Sequence, residues 1–164
     1  IIKPISDDLY NELQEKNVLN NGKHTDILKV WELHVNVIGV KNKIIRRWNA
    51  GKYTNGSFLK GWSPPHPSFI VKKNVYKKYG LFDLRYKYAS DIEIMYRFLE
   101  KCKCKYQFFN KVLINMKVGG ESNNSLMRIV KQNIEIIKIL RKEENFKYIK
   151  FIYFKFKHRY KQFI

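Results

Sequence analysis

The chain is predicted to be an α/β layered domain, on three observations. Apolar residues alternate with period two from Trp31 to Val37. They recur at helical spacing through residues 126 to 140. Strand-like and helix-like stretches interleave along the chain instead of segregating into halves.

Each element follows from a local pattern. Residues 9 to 19, LYNELQEKNVL, read as a short helix with Leu9, Leu13 and Val18 inward, closed at Gly22. From Asp26 the period becomes two, with Trp31, Leu33, Val35 and Val37 alternating with Glu32, His34 and Asn36 in a half-buried strand. GVKNK (39–43) turns that strand and IIRRW (44–48) runs back, which predicts a hairpin. Residues 49 to 68, NAGKYTNGSFLKGWSPPHPS, are punctuated by glycine and proline and read mostly as loop. FIV (69–71) is a short buried strand, and KKNVYKKYG (72–80) a short helix stopped by Gly80.

In KYASDIEIMYRFLE (87–100) a helix begins at Ser90. Ser90 and Glu93 have the S-x-x-E spacing of a capping box, and Ile92, Met95, Tyr96 and Leu99 form one apolar stripe. Val112, Ile114, Met116 and Val118 alternate through another strand, and GGESNNS (119–125) is a loop. A long helix runs from about Leu126 to Leu140, with Leu126, Val130, Asn133, Ile137 and Leu140 as its expected inner seam.

A chain of 164 residues is one domain, or a large piece of one. Its 45% apolar share, with 11 Phe, 11 Tyr and 3 Trp, supports a packed core. No stretch approaches the ~18 consecutive apolar residues of a spanning helix. No charged-then-apolar leader opens the chain. Cys102 and Cys104 lie one residue apart and make neither a disulfide framework nor a zinc knuckle, so a reducing, cytoplasmic setting is expected. The net charge of +19 has three readings: lysine-rich solvated faces, nucleic-acid binding, or attraction to an anionic membrane leaflet. No RNP-like, zinc or helix-turn-helix signature supports a nucleic-acid module, and nucleic acid is not expected as a partner.

Four polar clusters are candidates for chemistry. Ser6-Asp7-Asp8 either caps the helix that follows or holds a hard cation, with phosphate oxygens completing the shell. In WSPPHPS, Pro64, Pro65 and Pro67 stiffen the backbone around His66, which is either a packing histidine or one that must point somewhere fixed. Asp91 sits in a first helical turn, where the dipole favours a carboxylate whether or not it acts on a substrate. Gly119-Gly120 permits close backbone approach or makes an ordinary strand-to-helix turn. Trp62 either offers its ring face to a ligand or packs in the core.

The order of these clusters is more specific than any one of them. GWSPPHPSFIVKKNVYKKYGLFDLRYKYASDIEIMYRFL, followed by NKVLINMKVGGESNNSL, resembles the C-terminal half of bacterial family-2 glycosyltransferases with the GT-A fold, the enzymes that build capsule and O-antigen. Shared features are the aromatic-Pro-Pro-His-Pro loop, VY..YG.FD, the Ala-Ser-Asp helix start and the Gly-Gly-x-Ser turn. GKYTNG upstream is similar to the family's sGkys stretch. The resemblance is clear over residues 44 to 140 and fainter before, where ISDD stands at the family's Asp-x-Asp-type motif.

The resemblance implies a role for each match. Asp91 would be the general base that takes the acceptor hydroxyl proton. Asp7 and Asp8 would hold Mg2+ or Mn2+ against the donor diphosphate. His66, with Trp62, would line the acceptor side, and Gly119, Gly120 and Ser122 would close the site. A mixed GT-A-like sheet with flanking helices is implied, as is inverting transfer from a nucleotide-diphosphate sugar to a polysaccharide or lipid-linked acceptor. The family's nucleotide-holding strand has no counterpart ahead of Ile1, and DILKVWELHV replaces its strand ending in Tyr-Gly-Asp. The expectation is therefore a partial glycosyltransferase domain over residues 1–143, a fragment retaining the acceptor side and the base.

Residues 144–164 form a basic aromatic tail. From Asn145 onward it holds no acidic residue, and Phe146, Ile149, Tyr153, Phe156, Tyr160 and Phe163 follow helical spacing among six cations. It reads as an amphipathic helix lying on an anionic membrane surface, as a helix packed on the domain, or as a strand through YFKFK (153–157). A peripheral position on the inner face of the cell membrane is expected. The alternative to an active transferase is a catalytically inactive remnant that binds membrane or protein through this tail.

Overall fold

The computed structural model describes residues 29–38, 44–49, 51–117 and 126–162. It is a mixture of helix and strand. Strand β1 (Lys29–Ile38) is central, and the chain returns antiparallel along its C-terminal half as β2 (Ile44–Trp48). The two-residue strand β3 (Ile70–Val71) pairs antiparallel with Val30 and Trp31 on the other half. β4 (Lys105–Lys117) runs parallel to β1 over nearly its whole length. The predicted hairpin and the FIV strand are both present, and β4 begins well before the Val112–Val118 alternation that announced it.

Helix α1 (Lys73–Tyr79) ends where expected. Gly80 adopts φ 87 and donates its N–H to the Tyr76 carbonyl at 2.9 Å, a backbone conformation that favours glycine. Helix α2 (Ser90–Tyr96) continues into a wider π-type turn, Arg97–Lys101, closed by the Cys102 N–H on the Arg97 carbonyl at 2.8 Å. Helix α3 (Leu126–Leu140) has the bounds the sequence predicts, and helix α4 (Tyr148–Tyr160) takes up the tail. YFKFK is helical, so the strand reading of that segment is set aside.

The core lies between the loop of residues 51–69, β3 and the helices. Phe58, Phe69, Val71, Val75, Ile94, Met95, Phe98, Leu140 and Phe151 are buried in one cluster. Phe58, Trp62, Tyr53 and Tyr96 contribute an aromatic group, with the Phe58 and Trp62 rings edge-to-face at 5.3 Å. Met95, Tyr96 and Leu99 are buried with Ile92 beside them, as their stripe predicts.

Two local expectations are corrected. The Ser90–Glu93 capping box does not form. Ser90 is already helical, Ala89 holds the cap position, and no side chain caps the helix. Glu93 instead pairs with Arg97 one turn later at 2.8 Å, and Arg97 reaches on to the carbonyls of Tyr79 and Leu81. The seam of α3 is Ile136, Ile139 and Leu140, with Asn133 and Ile137 half-buried; Leu126 is 83% exposed and Val130 is exposed too. The apolar arc of that helix is wide, so spacing alone does not choose which edge of it is buried. The tail packs through Phe151, 2% exposed, while Ile149, Tyr153, Phe156 and Tyr160 point outward.

The helix expected at residues 9–19, its Gly22 stop and the loop at 119–125 lie outside the described residues.

Candidate active site

The 61–68 loop is fastened at both ends. Gly61 and Trp62 donate their N–H groups to the carbonyls of Phe58 and Ser57, at 3.0 and 3.2 Å. At the other end Ser68 is fully buried and closes a 3-10 turn on Pro65, with its N–H at 3.0 Å and its hydroxyl at 2.9 Å from that carbonyl. His66 opens this turn between Pro65 and Pro67, so its backbone has little freedom.

Asp91 approaches from the start of α2. Its Oδ1 accepts the Ile92 N–H at 2.8 Å, and its Oδ2 lies 3.8 Å from His66 Nδ1. That separation is too long for a direct hydrogen bond, yet a hydroxyl oxygen ~2.8 Å from each atom would bridge it. Burial pushes the His66 imidazole below its ordinary value, with Asp91 pulling the other way, so the ring is neutral at pH 7. The Asp91 carboxyl group and a neutral imidazole thus face each other.

What holds Asp91 there is a residue the sequence did not single out. The Glu135 carboxylate, from α3, accepts the backbone N–H groups of Lys87, Tyr88 and Ala89 at 3.2, 2.7 and 2.8 Å. It satisfies the chain leading into α2, the task assigned to the capping box. No spacing rule finds it, because the partners are more than 40 positions apart.

Asp91 and His66 line a cavity of about 230 Å³, and Trp62 borders it as well. Trp62 is 8% exposed and packed on Phe58 and Tyr53, which is the core-packing reading of the two expected for it. Helix α4 closes another side. Gly61, at φ 68, lies so near α4 that a Cβ placed on it would stand 2.8 Å from the Lys155 backbone. Beyond the helix, Gln162 accepts the Arg46 Nε–H at 2.7 Å through its side chain and the Arg47 N–H at 3.1 Å through its carbonyl, tying α4 to β2.

These contacts bring Lys155 into the cavity, where Nζ donates to Asn133 Oδ1 at 2.5 Å. Burial, then the charge of Arg159, lowers its ammonium to about 8, with Asp91 opposing. Burial and Arg159 likewise lower Arg46 to about 10. The signal for Lys155 was available in the i, i+4, i+8 row Phe151, Lys155, Arg159, which the aromatic row on the opposite face overshadowed.

Asp7, Asp8, Gly119, Gly120 and Ser122 lie outside the described residues. Among the described residues no three His, Cys, Asp or Glu side chains cluster as a metal site would need. No helix among them is long and apolar enough to cross a membrane. Cys102 and Cys104 are free thiols, and burial pushes Cys104 up to about 11, so it is an inert packing residue. Comparison with protein-family models, with curated proteins and with solved structures finds no match.

Proposed function

We propose that the chain is the acceptor side of an inverting glycosyltransferase of the family-2, GT-A type, with Asp91 as the general base. The observation that carries this reading is the pairing of Asp91 with His66 at 3.8 Å on the wall of one cavity. Asp91 Oδ2 accepts the proton of an acceptor hydroxyl that His66 orients, and the hydroxyl oxygen bonds to the anomeric carbon. The bond from that carbon to the nucleoside diphosphate breaks, its electron pair leaving with the diphosphate, and the single displacement inverts the centre. The acceptor is a polysaccharide or a lipid-linked sugar, on the inner face of the cell membrane. A divalent cation, Mg2+ or Mn2+, would be held by Asp7 and Asp8, which lie outside the described residues, and would offset charge on the departing diphosphate.

The test is transfer of label from a panel of nucleotide sugars to polymer or extractable lipid. In the complete enzyme, Asp91→Asn should cut turnover at least a hundredfold, within the range of general-base contributions, and leave donor affinity nearly unchanged. Undiminished turnover in that variant would sink the assignment.

A second reading, a catalytically inactive remnant acting as a binding module, is favoured by the outward face of α4. Ile149, Tyr153, Phe156 and Tyr160 recur there at helical spacing, unburied, with Lys150 and Lys157 beside them. Such a face fits an anionic lipid surface. Sedimentation with anionic vesicles that weakens with salt supports it, and no sedimentation at low salt removes it.

A further inference from the structure

The Asp91–His66 pair explains only part of the cavity. Arg46, Arg47, Lys155, Arg159 and Lys161 also line it, joined by His158, and Asp91 is the sole carboxylate among the described lining residues. We propose that this cationic wall receives a phosphate or diphosphate group carried by a substrate. The group belongs either to the donor nucleotide or to a lipid-linked acceptor. The transferase reading supplies only these two carriers; the anion site itself stands on geometry.

Two separate elements build the wall. β2 supplies Arg46 and Arg47, the tail supplies the rest, and Gln162 bonds one to the other. Within α4 the row Phe151, Lys155, Arg159 sets cations in line with the buried phenylalanine that anchors the helix. Arg46 and Lys155 are half-buried there while Arg47, Arg159 and Lys161 are exposed, and Lys150 lies on the outer face away from the cavity. Guanidinium groups match phosphate geometry through paired N–H donors, and Lys155 adds a point charge. Arg159 already presses on both Arg46 and Lys155, a repulsion that an entering anion would relieve. The volume, about 230 Å³, is below the ~300 Å³ lower end of sites that enclose a drug-sized ligand, and suits one charged group.

Trp48 and Trp62 border the cavity, so tryptophan fluorescence of the full chain reads its occupancy. Inorganic pyrophosphate is titrated first, then UDP and geranyl phosphate. Pyrophosphate should bind at low salt and be released as salt rises. Lys155→Gln with Arg159→Gln should weaken it at least tenfold, while Lys150→Gln leaves it unchanged. If circular dichroism shows the double variant unfolded, the exposed Arg47→Gln should still weaken binding several-fold. UDP binding tighter than geranyl phosphate assigns the site to the donor, the reverse order to the acceptor, and either result supports it. Absence of pyrophosphate binding at low salt, or an equal loss in Lys150→Gln, overturns it. Pyrophosphate binding without transfer by the complete enzyme would sink the transferase reading alone, and transfer without pyrophosphate binding would sink this inference alone.

Discussion

Glu135 holds the N–H of Ala89 at 2.8 Å, and through it one helix fixes where another begins. The same carboxylate carries Lys87 and Tyr88, so three backbone donors ahead of Asp91 depend on one side chain. Asp91 is therefore mounted on α3 as much as on α2.

Removing that carboxylate leaves three backbone donors to water or to nothing. Glu135→Ala should cost about 2 kcal/mol, the scale of hydrogen bonds to a charged group, measured by urea unfolding. Glu135→Gln keeps one acceptor oxygen and should fall between the two. Transfer should drop with the alanine variant even where it remains folded, because Asp91 loses its register with His66. A variant as stable and as active as the parent would show that the contact is incidental.

The contrast with the expected capping box shows where sequence reading stops. The hairpin of β1 and β2, the Gly80 stop and the bounds of α3 are local patterns, and each is found in the structure. Asp91, His66 and Trp62 were singled out separately and do border one cavity. Pattern could not tell which of several apolar faces turns inward. Leu126 and Val130 have the same spacing as residues that are buried, and the aromatic row of α4 outweighs lone Phe151 by count. Nor does any pattern predict a lysine turned into a cavity, since burial of a cation runs against hydropathy and is settled only by what packs around it.

Gly61 tests the seat of the tail. Its positive φ and the Lys155 backbone leave no room for a side chain. Gly61→Ala should cost about 2 kcal/mol or more, combining left-handed backbone strain of ~1–2 kcal/mol with displacement of α4. The displaced helix should become sensitive to trypsin at its lysines before the rest of the chain, and pyrophosphate affinity should fall with it. Unchanged stability together with unchanged protease resistance would mean that α4 does not rest on this loop.

Lys155 gives the stability a pH dependence of definite sign. In the folded chain it loses its proton at about 8, against an ordinary lysine value of 10.5, because burial and Arg159 outweigh Asp91. Below pH 8 the folded state carries a half-buried ammonium that the unfolded chain would solvate better. Between about 8 and 10.5 the unfolded chain holds a proton that the folded one has released, so this residue's contribution to stability rises with pH across that window. Lys155→Gln keeps a donor for Asn133 and removes the titration. Urea unfolding at pH 7 and at pH 9.5 should show the parent gaining on the variant between the two conditions. A constant difference would place the ammonium in water and not in the cavity, and with it would go the charge argument for Lys155 in the anion wall.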